Sequence, residues 1–215
     1  MRSLMKNSTK QFFSYTNSLL LFAIIVFSAC ANTATITGSD GSTYVGQIKN
    51  GEPHGRGTYT WSDGSKYTGQ FKNNAVHGQG TITLASGEKY TGQWEDGERN
   101  GQGTMTLPDG AKYVGQWKDG ERHEGTLTWS EGKYTGQFKN NKRGGQGTMI
   151  FTNREKYEGQ WKDDKMDGQG TYTYLNGDKY VGQFKDDKKN GEGTLYDSKG
   201  KILQKGTYSD GEFVK

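Results

Sequence analysis

Apolar and polar residues alternate one by one along most of this chain, and the alternation is interrupted at regular intervals. In "YTGQW", residues 90–94, Tyr90, Gly92 and Trp94 fall on one side of an extended chain while Thr91 and Gln93 fall on the other. In "GQGTMTL", residues 101–107, Gly103, Met105 and Leu107 share a side opposite Gln102, Thr104 and Thr106. Period two predicts strands. Asp63-Gly64, Asp109-Gly110 and Asn176-Gly177 lie between such runs and supply the positive φ of a tight reversal. Charged six-residue stretches such as "EDGERN", 95–100, are expected to form the loops of the other reversals.

The pattern is a tandem repeat. Tyr-x-Gly-Gln begins at Tyr44, Tyr67, Tyr90, Tyr113, Tyr134, Tyr157 and Tyr180, at spacings of 23, 23, 23, 21, 23 and 23. Each repeat continues with Trp or Phe in six cases and Ile48 in the first. A half-repeat from Thr35 precedes the array, and a degenerate one, "ILQKGTYSDG", closes it. With one hairpin per repeat, the expected fold is all-β: an elongated, twisted single-layer antiparallel sheet of roughly 16 strands. Glycine beneath an aromatic ring lets the ring lie across the neighbouring strand, so the sheet supplies its own core. The repeat from Tyr113 is two residues short, one lost where "NGQGT" becomes "HEGT" and one where "PDGAK" becomes "SEGK". A local change of bend is expected there, with each strand keeping its facing.

The repeat "YTGQWEDGERNGQGTMTLPDGAK" resembles the MORN repeat, whose pattern runs Tyr-x-Gly-x-Trp/Phe, then Asn/Asp-Gly-x-x-His-Gly-x-Gly, then a turn with glycine. Gln47, Gln70, Gln93 and their counterparts stand where Glu is common, and the loop histidine survives only as His54, His77 and His123. The resemblance implies a curved single-layer scaffold that binds proteins, itself or, in some members, membrane lipid. It implies no catalytic residues.

Residues before the repeats have a different character. Arg2, Lys6 and Lys10 form a basic start, and Leu19 to Phe27 is an unbroken apolar run, too short to span a bilayer, which needs about 20 residues. The segment reads as a signal peptide, taken as a helix over residues 1–29. "VFSAC" resembles the bacterial lipobox and makes Cys30, the only cysteine, a lipidation site. Cleavage after Ala31 for soluble secretion is the alternative. The expected organisation is signal 1–29, linker and half-repeat 30–43, seven repeats 44–202 and a C-terminal cap 203–215. The expected location is outside the cytoplasm, as a membrane-anchored lipoprotein of the cell envelope.

Composition and charge narrow the function. Only 29% of the chain is apolar, and 16 of those side chains lie before residue 30, so no stretch remains for a separate catalytic domain. The whole chain carries 28 Lys+Arg against 24 Asp+Glu; without Arg2, Lys6 and Lys10 the balance is 25 against 24. Such a mixed surface argues against nucleic acid. The three histidines occupy equivalent places about 10 Å apart, too far to share a metal. Neither a cofactor nor an enzymatic activity is expected. The candidate binding face is a double row formed by Tyr67, Phe71, Tyr90, Trp94, Tyr113, Trp117, Tyr134, Phe138, Tyr157, Trp161, Tyr180 and Phe184. Two readings stay open: these rings cover only glycines and each other, or a lone layer leaves them partly exposed as a contact surface. A protein partner or a second copy is the expected occupant, with an envelope glycan or membrane lipid as alternatives on the same face.

Overall fold

A computed structural model describes residues 24–27 and 32–215. The described residues fall into two compact units: residues up to Gly110 with Gln116–Glu121, and Ala111–Gly115 with Arg122–Lys215. No helix occurs among the described residues. The N-terminal unit contains β1 (Ile24–Phe27), β2 (Thr33–Thr37), β3 (Thr43–Lys49), β4 (Glu52–Thr60), β5 (Lys66–Lys72), β6 (Ala75–Thr83), β7 (Lys89–Glu95) and β8 (Glu98–Thr106). Strand β9 (Lys112–Lys118) is divided at Gly115 between the units. Then follow β10 (Glu121–Trp129), β11 (Gly132–Lys139), β12 (Lys142–Phe151), β13 (Lys156–Lys162), β14 (Lys165–Thr173), β15 (Lys179–Lys185), β16 (Lys188–Tyr196), β17 (Ile202–Ser209) and β18 (Glu212–Phe213). Within each unit consecutive strands pair antiparallel, as a meander of hairpins. The expected signal helix and Cys30 lie outside the described residues, apart from Ile24–Phe27, which pair with Ala34–Thr37.

The predicted facing is present. In β7, Tyr90, Gly92 and Trp94 are buried while Thr91 and Gln93 are exposed. Each tyrosine ring lies flat over two glycines that are partners across the hairpin, as Gly92 is to Gly103. A Cβ on Gly103 would sit 2.4 Å from the Tyr90 ring, and one on Gly92 would sit 2.6 Å from the Gly103 Cα. No side chain fits at either place. The Tyr90 hydroxyl reaches past the glycine and donates to the Gln93 carbonyl at 2.9 Å. The same bond recurs from Tyr44, Tyr67, Tyr134, Tyr157 and Tyr180.

The charged loops are not loops. "EDGERN" contains a two-residue turn, Asp96-Gly97, at φ 46° and 93°, and Glu98-Arg99-Asn100 already belongs to β8. Asn73-Asn74, Asn140-Asn141, Asp163-Asp164 and Asp186-Asp187 do the same, both residues having positive φ. This is the reversal whose twist matches that of paired strands, which Asn, Asp and Gly tolerate. The Asp63-Gly64 turn is the longer one, with only Gly64 at positive φ and the Gly64 N–H donating to the Trp61 carbonyl at 3.0 Å.

The residues between turn and glycine pair are accommodated by a bulge. Register shifts between Gly92 and Trp94, leaving Gly101 at φ 71°. The Gln93 side chain fills the bulge: its Oε1 accepts the Gln102 N–H at 2.6 Å and stands 2.1 Å from where a Gly101 Cβ would be. Gln47, Gln70, Gln137, Gln160 and Gln183 accept equivalent bonds. Only the side-chain carbonyl is used, so an amide serves as well as a carboxylate. The short repeat omits this glycine, and there the Tyr113 hydroxyl donates to the Glu124 carbonyl instead, at 2.9 Å. Its second deletion leaves the two-residue turn Ser130-Glu131, and Leu127 still faces Tyr134.

Candidate functional site

Within each unit the stripe residues lie side by side, but they are not a surface. Tyr67, Phe71, Tyr90, Trp94, Tyr113, Trp117, Tyr134, Phe138, Tyr157, Trp161, Tyr180 and Phe184 are each at most 6% exposed. Partial exposure of a lone layer was the wrong reading, because the rings bury one another. Phe71, Trp94, Phe138, Trp161 and Phe184 each stand edge-on between the tyrosine of their own repeat and that of the repeat before. In the N-terminal unit Phe71 meets Tyr67 and Tyr44, and Trp94 meets Tyr90 and Tyr67, at 5.0–5.5 Å between centroids and 82–90° between planes. In the C-terminal unit Phe138, Trp161 and Phe184 continue the arrangement from Tyr113 to Tyr180 at 5.0–5.3 Å. Edge-to-face pairs contribute about 0.5–1.5 kcal/mol each beyond the area they bury.

Cations complete the seal. Arg99 lies 4.3 Å from the Trp117 ring centroid, Arg122 4.9 Å from Phe138 and Arg143 4.4 Å from Trp161. The guanidinium charge is attracted to the ring faces while the stem covers them. Arg99 and Arg122 are 6% and 7% exposed. Their heads are held by the next turn, Arg99 donating to the Gly120 carbonyl at 2.9 Å and Arg122 to the Asn141 carbonyl. Burial raises the tyrosine pKa values, to about 12 at Tyr44, Tyr113 and Tyr180.

Exposed apolar surface lies elsewhere on the same face, near the longer turns. The row following Gly-x-Gly-Thr includes Trp61, Leu84 and Leu107 in the N-terminal unit and Trp129, Phe151, Tyr172 and Tyr174 in the C-terminal unit, all half-buried. Phe151, Tyr172 and Tyr174 form a cluster with tilted rings at 6.0 and 5.0 Å, beside Leu175, which is 69% exposed. The Tyr172 hydroxyl donates to Glu155 Oε2 at 2.6 Å, and this bond holds the Glu155 carboxyl below its ordinary pKa. Sequence reasoning placed the row on the correct face but gave it no role. The available signal was the second apolar residue of "TYTYL", 171–175, which no glycine lies beneath.

The opposite face is polar and open. Thr58 and Thr68, Thr81 and Thr91, and Thr126 and Thr135 pair their hydroxyls across strands at 3.0–3.1 Å. In the C-terminal unit a shallow trough crosses the strands there, lined by Thr126, Thr135, Gln146, Thr148, Glu158 and Thr171. The described residues include no cluster of three or more His, Cys, Asp or Glu able to hold a metal ion.

No curated protein matches the sequence. Among solved structures, a point mutant of the TCP10 domain of Danio rerio CPAP matches at 18% identity and a TM-score of 0.46, covering 88% of this chain and 99% of that one. The SAS-4 (dCPAP) TCP domain of Drosophila melanogaster, in complex with a proline-rich motif of Ana2 (dSTIL), matches at 13% identity and 0.40, covering 89% and 94%. The wild-type Danio rerio TCP10 domain matches at 15% and 0.39, covering 88% and 99%. The sequence profile of the MORN repeat matches seven times in tandem, at residues 44–66, 67–89, 90–112, 113–133, 134–155, 157–179 and 180–202. With those repeats spanning most of its length, the chain belongs to the MORN repeat family.

Proposed function

We propose that this protein is a non-enzymatic scaffold that binds a partner protein through the half-buried apolar row, chiefly Phe151, Tyr172 and Tyr174, together with the exposed Leu175. The observation that carries this is the contrast between sealed rings and the exposed Leu175 beside a tilted aromatic cluster. Apolar surface left in water next to fixed aromatic rings is how contact sites are usually built. The twelve core rings then hold that row in register and take no direct part in contact. Crosslinking in intact cells tests the reading. Tyr174→Ser with Leu175→Ser should abolish the crosslinked partner while thermal unfolding stays within a few degrees of the parent; an unchanged partner would sink it.

The proposal extends to export and to acylation at Cys30. Its support is the acid-free start with Arg2, Lys6 and Lys10, the apolar run Leu19 to Phe27 and "VFSAC". Stable anchoring would need more than one acyl chain. Mass spectrometry of the mature N-terminus should find a diacylglyceryl group on Cys30. A free Asn32 terminus would mean soluble secretion instead.

A further inference from the structure

Two sets of lysines in the C-terminal unit contrast. Those that open the strand after a two-residue turn are ion-paired: Lys142 with Asp163 at 2.7 Å, Lys165 with Asp186 at 2.5 Å and Lys188 with Asp210 at 3.3 Å. A second set precedes each repeat tyrosine on the open polar face. Of these, Lys133 and Lys179 have no ion pair, and Lys156 has one, with Glu158 at 2.6 Å. Cross-strand register puts the three at one level on alternate strands. Lys133 and Lys156 both pair with Ile150, and Lys156 and Lys179 both pair with Thr173. Successive ammonium stems are therefore two strands apart, about 9.6 Å. Thr128 and Tyr196 continue the row at either end.

We propose that this row binds a linear acidic polysaccharide carrying one carboxylate per disaccharide. The proposal concerns the face opposite Tyr174 and is independent of the protein contact described above. Spacing decides the ligand class. Double-stranded DNA presents a charge about every 1.7 Å along its axis, far denser than this row can match. In an extended β-linked polysaccharide the disaccharide repeat is close to two strand spacings. Its single carboxylate meets each lysine in turn while its hydroxyls lie against Thr173 and the threonines of the trough. An anionic membrane is matched worse, because Glu124, Glu158 and Glu192 share the face and recognition of such a surface uses clusters of 4–8 cations. Glu158 occupies the place held by Thr68, Thr91 and Thr135 in other repeats, and it competes with the ligand for Lys156.

Calorimetry of the full chain with hyaluronate, a polymer of alternating glucuronate and N-acetylhexosamine, tests this. Binding should weaken as salt rises, and uncharged dextran should not bind. Lys133→Gln with Lys156→Gln and Lys179→Gln should weaken hyaluronate binding by about tenfold or more, each surface charge being worth up to about fivefold. Glu158→Thr should strengthen it by about threefold on the same scale. All four side chains stand on the exposed polar face, so unfolding temperature should hold as the control. Undiminished hyaluronate binding by the triple variant would overturn the proposal, and so would tighter binding to anionic vesicles or single-stranded DNA than to hyaluronate.

Discussion

The two units build the same ring column but finish their short turns differently. In both, the second turn residue sends its N–H back to the preceding hairpin: Gly97 to the Val76 carbonyl and Gly120 to Arg99 in one, Asp164 to Arg143 and Asp187 to Met166 in the other, at 3.0–3.1 Å. In three turns of the C-terminal unit that residue also has a side chain, whereas Gly211, whose N–H donates to the Lys189 carbonyl at 2.9 Å, has none. Asn141, Asp164 and Asp187 accept the N–H of Arg122, Arg143 and Met166 at 2.8–3.0 Å. Gly51, Gly97 and Gly120 cannot. Positive φ can be met by glycine, which gives up more chain entropy on folding, or by Asn and Asp, which then need a partner. Here the partner is the neighbouring hairpin, so the same choice of residue sets how strongly successive repeats are tied.

The ring column, common to both units, should give the largest effect. An unfolded tyrosine titrates near pH 10, whereas Tyr44, Tyr113 and Tyr180 are raised to about 12 by burial. Deprotonation is therefore easier in the unfolded chain. Stability is fully present below pH 10 and is lost as pH rises through 12. Circular dichroism and tyrosinate absorbance should change together over that window. The full tyrosinate absorbance developing near pH 10 with the sheet signal intact would contradict the burial.

Next in size are the tryptophans. Trp94 and Trp161 occupy the same place, and their indoles donate to the carbonyls of Gly80 and Gly147 at 3.3 and 3.1 Å. Either change to Ala should cost about 3–5 kcal/mol in chemical denaturation. Trp161→Ala should cost about 0.5–1 kcal/mol more, because it also loses Arg143, whereas Val76 holds the equivalent place beside Trp94. Equal losses would remove the cation from the account.

The turns themselves come third. Asp164→Gly keeps the backbone conformation but removes the acceptor for Arg143, and should cost about 1–2 kcal/mol. Gly97→Asp, the reverse exchange in the N-terminal unit, should gain up to about 1 kcal/mol by capping Val76. A gain no larger than for Gly64→Asp, whose turn has no such neighbour, would show that the side chain and not the site is responsible.

Facing, hairpin order and the laying of rings over glycines were legible because period two and the 23-residue spacing act through local geometry. The longer turns at Gly64, Gly110 and Gly177 were legible as well, but the short turns inside the charged stretches were not. Glu98, Arg99 and Asn100 read as loop because charge usually marks solvent, yet Arg99 is buried with its cation over Trp117. The burial of the stripe stayed undecided for a related reason. An edge-to-face column shields its own rings, and no residue type in the sequence announces that. Gln93 looked like a departure from the family pattern, but its acceptor function is unchanged, and only the bulge at Gly101 reveals it.

The smallest effect concerns the one turn of the N-terminal unit that has the side chain but not the bond. Asn74 stands where Asp164 stands, and its N–H reaches the Pro53 carbonyl at 3.0 Å. Its Oδ1 should accept from the nitrogen of residue 53, but proline has no hydrogen there, and Oδ1 is buried without a partner. An unmet buried acceptor costs about 1–3 kcal/mol, so this turn is held back by its own neighbour. Pro53→Ala supplies the missing donor and should raise stability by about 0.5–1 kcal/mol, net of the chain entropy that proline removed. Asn74→Gly should relieve the same acceptor from the other side, and the two changes together should give no more than either alone. A double-mutant cycle in urea decides it: additive gains would mean that Asn74 and Pro53 do not meet in the way the turn ladder requires.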